Sequence, residues 1–173
     1  MREDSLAFRL RAAVHDDYPA LFKLDQSCFA PGIAWSKAEL EYFLQYPGNL
    51  SIVAEDEGGR IVGFAIAGRQ RRQGALLGRL ITIDVDQAVR RGGVGHRLLE
   101  EIETQLRGMG AVAVLLEVAV DNAAAQEFYV RHGFARTGRI PGYYLGRIDA
   151  LAMEKQLGDA GPRLSRTPGT RLQ

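Results

Sequence analysis

The sequence predicts an α/β fold: a mixed, mostly antiparallel sheet with one central parallel strand pair, flanked by helices. Three observations carry this. The apolar runs Leu50–Ala54, Ile61–Ala67 and Leu76–Val85 follow one another with turn-forming or polar residues between them, as in an antiparallel meander. Val94, Leu98, Leu99, Ile102 and Leu106 then recur at the spacing of one helical face. Beyond that helix, Ala111–Val118 is almost wholly apolar and reads as a buried strand. A strand reached across a helix lies parallel to the strand before it.

The other elements follow in order. Leu6–Val14 alternates loosely and reads as a first strand. Asp16-Asp17-Tyr18-Pro19 opens a helix, with an acidic cap and a proline in the first turn. Leu21, Phe22, Leu24 and Phe29 give it an apolar face, and Ala30–Trp35 breaks it. Ser36 and Glu39 form a capping box for a second helix, buried through Leu40, Phe43 and Leu44 and ended at Pro47-Gly48-Asn49. Phe29 reads as core; Trp35 is either core or the apolar wall of a substrate groove. Asp56–Gly59 supplies a hairpin turn, and Arg69–Gly74 a solvated polar loop. Gly108-Met109-Gly110 stops the central helix. Asp121 or Asn122 caps a helix over Ala123–His132, ended by Gly133, and Phe134–Arg139 with Asp149–Leu157 closes the sheet as an antiparallel pair. Gly158–Gln173 has no apolar periodicity and reads as a mobile tail, which leaves 1–157 as a single domain.

The bulk composition narrows the function by exclusion. A chain of 173 residues is long enough for one sizeable core. Its net charge of +1 gives no drive toward nucleic acid or an anionic membrane. The one cysteine, Cys28, has no internal disulfide partner, which suits a reducing compartment. The N-terminus has no apolar signal region and no apolar run is long enough to span a membrane, so the expected location is the cytoplasm. The histidines and the cysteine do not cluster, and no metal is expected.

Chemistry is concentrated at three places. The first is Arg90-Arg91-Gly92-Gly93-Val94-Gly95-His96, a glycine-rich turn that opens the central helix. Glycines let the backbone bend tightly and approach a ligand. The first N–H groups of a helix have no internal partner, and with the helix dipole they favour an anion, most often phosphate. Arg90 and Arg91 add positive charge beside it. The turn is neither a Walker loop nor a dinucleotide fingerprint, since no Gly-Lys-Ser/Thr follows and Leu98 stands where a third glycine would be. A tight turn with glycines for packing alone would also account for it. The second place is Glu117, which interrupts the apolar run and is either held in a cleft or turned to an edge. In a cleft, desolvation would bring its carboxyl toward a general base. The third is Asn122 with Tyr129, seven residues and two turns apart on one helical face with the small Ala125 between them. An amide-bearing ligand could lie along that track; equally, Asn122 could be an N-cap and Tyr129 a core tyrosine.

Taken together, these motifs resemble the GNAT acetyltransferase superfamily. Leu80–Val85, the Arg90-x-x-Gly93-x-Gly95 turn and the following helix resemble its pyrophosphate-binding motif. Leu116-Glu117-Val118, Asp121-Asn122-x-x-Ala125-x-x-Phe128-Tyr129 and His132-Gly133-Phe134 resemble its second block. Within it, Glu117-Val118 five residues before Asn122, and Tyr143-Tyr144 before Asp149–Met153, are similar to the ribosomal-protein alanine and N-terminal acetyltransferases. Ala119, Ile148 and the length of Ala30–Trp35 depart from that branch, away from the acetyl-CoA chemistry.

The resemblance implies the GNAT acyl-CoA N-acyltransferase fold and acetyl transfer from acetyl-CoA to the amine of a protein N-terminus, by a monomer or homodimer. It implies Glu117 as general base and Tyr129 as general acid. Asn122 and the backbone of Ile83, Asp84 and Val85 would bind the pantetheine arm. Arg90, Arg91, Gly92, Gly93, Val94, Gly95 and His96 would hold the pyrophosphate. Tyr143 and Tyr144 would line the acceptor groove, with Trp35 as its further apolar wall. A backbone N–H at the end of the Val85 strand would polarise the thioester carbonyl. Acetylation of a small amine or antibiotic, and acyl-CoA binding without turnover, are the alternatives.

Overall fold

The computed structural model describes residues 7–158, so the tail expected over 158–173 lies, apart from Gly158, outside the described residues, as does Leu6. The strands are β1 (Phe8–Ala12), β2 (Leu50–Asp56), β3 (Ile61–Arg72), β4 (Ala75–Val85), β5 (Ala111–Ala119), β6 (Ala135–Tyr144) and β7 (Ile148–Gln156). The helices are α1 (Tyr18–Cys28), α2 (Lys37–Gln45), α3 (Val94–Gly108) and α4 (Ala123–Arg131). The seven strands form one sheet in the order β1-β2-β3-β4-β5-β7-β6. β4 and β5 are parallel, and the ladder between them covers Leu76–Arg79 against Ala111–Leu115. β1–β2, β2–β3, β5–β7 and β6–β7 are antiparallel.

By contact density the chain divides into two units. Among the described residues, one comprises the chain up to Arg69 together with Leu80–Met109; the other comprises Gln70–Arg79 and the chain from Gly110 to Gly158. In the first unit, Leu21 and Leu24 of α1, Leu40 and Phe43 of α2, and Val53, Phe64 and Ile66 of the sheet form one core cluster. Ser36 caps α2 as its capping box requires, accepting from the Glu39 N–H and receiving the Glu39 carboxylate at its own. β1, α1 and β2 are further joined at Arg11, which donates to Asp17 at 2.7 Å and to Glu55 at 2.6 Å. The resulting hydrogen bonds hold both carboxyls below the usual carboxylate range.

The seat of α3 is set by one glycine. Val94, Leu98, Leu99, Ile102 and Leu106 are all buried, as the spacing predicts. At Gly63 of β3, a Cβ would lie 2.9 Å from Val94 Cγ1, 3.0 Å from the Asp84 carbonyl oxygen and 3.1 Å from Leu98 Cδ1. The absent side chain is what lets the first turn of α3 sit against the sheet beside the end of β4.

In the second unit, β5 is flanked by β7 in the register Glu117–Ala152. Leu77, Ala113 and Leu115 form a smaller apolar cluster. Gln126 of α4 is buried and donates to the carbonyls of Ala119 and Val120 at 3.0 and 2.9 Å, which fastens α4 under the end of β5.

Two expectations are corrected. Arg69–Arg72 is strand, not polar loop, because β3 runs on until Gln73 (φ 50°) and Gly74 (φ 81°) reverse the chain. β6 runs to Tyr144 rather than stopping near Arg139, and it turns into β7 at Leu145 (φ 56°) and Gly146 (φ 68°). Positive φ at both central residues is the tight hairpin geometry that an Asn-Gly pair usually announces. Register shifts before Gly138 and Tyr144 let Pro141 lie within an edge strand.

Gly63→Ala is expected to lower unfolding stability by about 1–3 kcal/mol through overpacking, read as a reduced urea midpoint.

Candidate active site

In the first unit, β4 delivers the chain to the glycine-rich turn. Burial along β4 alternates, with Leu80, Thr82 and Asp84 turned inward and Ile81, Ile83 and Val85 half-buried. Ile83 and Val85 therefore share one face, and the Asp84 side chain belongs to the core. In the turn, Arg91 (φ 69°) and Gly93 (φ 82°) are both left-handed, and the Gly92 N–H between them donates back to the Val89 carbonyl at 3.1 Å. Gly93 is the N-cap of α3 and leads into Val94, Gly95 and His96. Arg90 and Arg91 are both exposed, and the Arg90 guanidinium folds back, Nε donating to the Val85 carbonyl at 3.1 Å. The His96 ring lies 3.4 Å from Glu100 on the outer face of α3.

Two other sequence readings concern this unit. Trp35 packs edge-on against Phe43 with ring centroids 4.9 Å apart, at the rim of the core and half-exposed. Phe29, expected in the core, is only half-buried, because it is the C-cap of α1 and its backbone is already extended. Cys28 has its thiol against the Val85 carbonyl at 3.6 Å, and burial pushes that thiol up.

In the second unit, Glu117 is the half-buried residue in an otherwise buried stretch of β5. Its Oε2 accepts from Arg79 Nη2 at 3.1 Å, an ion pair whose side chains are only 22% and 11% exposed. The same Nη2 donates to Tyr143 Oη at 2.9 Å. Tyr144 Oη donates to the Glu117 carbonyl at 3.2 Å. Tyr143 and Tyr144, far along the chain, are thus brought to Glu117 by the β6–β7 hairpin. The sequence left Glu117 either in a cleft or at an edge; the residue is half-buried, and its side-chain partner is the cation of Arg79. The side-chain oxygen of Asn122 caps α4 by accepting from the Ala125 N–H at 3.1 Å. Tyr129 is buried and packs edge-on against Phe128 and Phe134, at 5.3 and 5.6 Å between centroids. Among the described residues no cluster of His, Cys, Asp and Glu could hold a metal ion.

Residues 18–134 match the Acetyltransferase (GNAT) family. The chain belongs to that family and is a GNAT N-acetyltransferase. It is 32% identical over 160 residues to N-alpha-acetyltransferase RimI of Mycobacterium tuberculosis, covering 92% of this chain and 99% of that one. The crystal structure of the ribosomal-protein-S18-alanine N-acetyltransferase from Escherichia coli is similar with a TM-score of 0.75 and 28% identity, over 92% of this chain and 100% of that one. Arabidopsis thaliana NAA60, solved in complex with acetyl-CoA, shares the fold at a TM-score of 0.77 and 19% identity, over 87% of this chain and 98% of that one.

Reading the sequence for this GNAT enzyme missed Arg79, although a signal was present. An arginine inside Leu76-Leu77-Gly78-Arg79-Leu80 has to find an anion if the strand is buried. Asp84 carried the same signal, standing on the inward parity of Leu80 and Thr82. Gln126 carried none, since one glutamine in a helix does not reveal which carbonyls it meets.

Arg79→Met is expected to cost about 3–5 kcal/mol by leaving the Glu117 carboxylate buried without its cation. The double change Arg79→Met with Glu117→Met should recover most of that loss, as a double-mutant cycle in denaturant would show.

Proposed function

We propose that this GNAT enzyme transfers the acetyl group of acetyl-CoA to the free α-amine of a protein or peptide N-terminus, in the cytoplasm. The observation that carries the acceptor side is the assembly of Arg79, Tyr143 and Tyr144 around Glu117. A carboxylate paired with an arginine that also holds the Tyr143 phenol, beside a Tyr144 phenol on the Glu117 backbone carbonyl, suits an extended peptide that ends in an amine. Residues 1–157 act as one N-acetyltransferase domain, a reading supported by a family match that runs through both units.

Several features fit acetyl-CoA. Phosphates would be held by the backbone of Gly93–His96 and by Arg90 and Arg91, with Gly92 shaping the turn, because its own N–H donates to the Val89 carbonyl. The left-handed residues in the turn and the N-terminal end of α3 support this. At Gly93 a Cβ would meet nothing within 4 Å, so the turn is open on that side. Ile83, Asp84 and Val85 would meet the pantetheine arm through strand backbone. Asn122 is a weaker candidate for that arm, because its side-chain oxygen already caps α4.

The reaction needs few steps. Glu117, paired with Arg79, removes the proton from the acceptor ammonium directly or through water. The amine nitrogen then attacks the thioester carbonyl, whose oxygen is polarised by a backbone N–H at the end of the Val85 strand. As the C–N bond forms and the C–S bond breaks, Tyr129 protonates the departing thiolate, and the second proton of the attacking amine is passed to solvent and so back to the tyrosinate, which leaves a neutral amide and a restored phenol. Holding both substrates together supplies the proximity, so no covalent enzyme intermediate is required. Trp35, with Tyr143 and Tyr144, would flank the acceptor.

The test is thiol release from acetyl-CoA with short peptides bearing a free N-terminal Ala, Ser, Met or Thr, the same peptides N-terminally blocked, and small polyamines and aminoglycosides. Release with free peptides alone is expected. Release with small amines alone overturns the protein acceptor, and tight acetyl-CoA binding without release from any acceptor overturns the enzymatic reading. Glu117→Gln is expected to lower kcat by about 10²–10⁴-fold. Tyr129→Phe should lower kcat with little change in the KM for acetyl-CoA, whereas Arg91→Ala should raise that KM, more so at low salt.

A further inference from the structure

The first unit buries two carboxyl groups that the mechanism above does not use. Asp25 of α1 is 0% exposed and Asp84 of β4 is 1% exposed. One oxygen of each is supplied with donors. Asp25 Oδ2 accepts from the Trp35 N–H at 2.8 Å and from Gln26 Nε2 at 3.2 Å, and Asp84 Oδ1 accepts from Thr82 Oγ1 at 2.7 Å. The remaining oxygens, Asp25 Oδ1 and Asp84 Oδ2, have no donor among the described residues. Cys28, three residues after Asp25 on α1, has its thiol 3.6 Å from the carbonyl of Val85, the neighbour of Asp84 in β4, and each of the two carboxyls feels the other's charge. Two anions side by side in a dry site repel each other and leave both lone pairs unmet; one proton between them removes both problems.

The pair also closes a loop. Asp25 holds the Trp35 N–H, and the neighbouring Gln26 donates to the Trp35 carbonyl at 2.8 Å. Both backbone polar groups of Trp35 are thereby returned to α1, which shuts the segment from Phe29 to Trp35 at its base. Asp84 is rooted in the strand residues that precede the glycine-rich turn. We propose that Asp25 and Asp84 share a single proton, and that this proton is the clasp that holds the Phe29–Trp35 loop to β4 in the geometry that accepts the acceptor peptide. Both are positioning residues. The kinetic consequence rests on the reading of Trp35 as part of the acceptor groove.

Charged and titratable neighbours come from each element around the pair. Glu39 of α2 adds negative charge near Asp25, Arg90 of the turn adds positive charge near Asp84, and the Cys28 thiol of α1 faces the field of Asp84. Burial is the largest influence on both carboxyls, raising Asp25 to about 6 and Asp84 to about 8. The folded protein therefore keeps a proton that the unfolded chain gives up near pH 4. With raised values, the stabilisation from the pair is complete below about pH 4 and is lost as pH climbs through about 8.

The chain supplies its own reporter, because Trp35 is its only tryptophan. Its emission would be followed on the full chain from about pH 6 to about pH 9, a window that brackets the value for Asp84. A red shift with a midpoint near pH 8 is expected. In Asp25→Asn the amide carbonyl still accepts from the Trp35 N–H and the amide NH₂ donates permanently to Asp84, so the shift should vanish. With a free-N-terminal peptide, the acceptor KM should rise severalfold across the same window while the KM for acetyl-CoA stays level, and Asp25→Asn should flatten that rise. An unchanging emission in the parent chain, or the same shift in Asp25→Asn, overturns the clasp. Carboxyl ¹³C titration of the unmutated protein decides the pairing even if Asp25→Asn does not fold: one aspartate titrating near pH 8 supports it, and both titrating below about pH 5 overturns it. If no peptide is acetylated, the proposed acceptor fails while emission and titration still judge the clasp.

Discussion

A strand covered by protein has to give every charge on it a partner, and β4 carries two. Arg79 finds Glu117 and Tyr143 in one unit; Asp84 finds Thr82 and Asp25 in the other. Both solutions reach far along the chain, from β4 to β5 and β6 in one direction and back to α1 in the other. The positions of the β6–β7 hairpin and of the α1–α2 loop are consequently tied to polar contacts on one strand as well as to apolar packing. Apolar packing tolerates small shifts; a buried ion pair or a shared proton tolerates few.

The same contrast explains what was legible in the sequence. Elements built from local rules were readable. The α3 face was spelled out by Val94, Leu98, Leu99, Ile102 and Leu106, the α2 start by Ser36 and Glu39, and the parallel strand by its apolar run. The glycine-rich turn was also readable, because its residues are contiguous. The surroundings of Glu117 were not. Arg79 is 38 residues from it in sequence and 64 from Tyr143, and no period links them. Strand ends were misjudged where polar residues continue a strand. Arg69–Arg72 prolongs β3, and β6 passes Pro141 by register shifts that leave no mark in hydropathy.

Gly63 and Gly93 show two different uses of an absent side chain. At Gly63 the space is filled by Val94, Leu98 and the Asp84 carbonyl, and the glycine allows that contact. At Gly93 the space is open and the backbone is left-handed, so the glycine serves the path of the chain into α3. The first determines where the helix sits; the second determines how its first N–H groups are presented.

Cys28 lies in the same neighbourhood, with its thiol against the Val85 carbonyl and its proton retained by burial and by the nearby Asp84 charge. Oxidants, alkylating agents and other cysteines react with the thiolate, the form this site disfavours. Cys28 is accordingly a slower nucleophile toward these reagents than a free thiol in water.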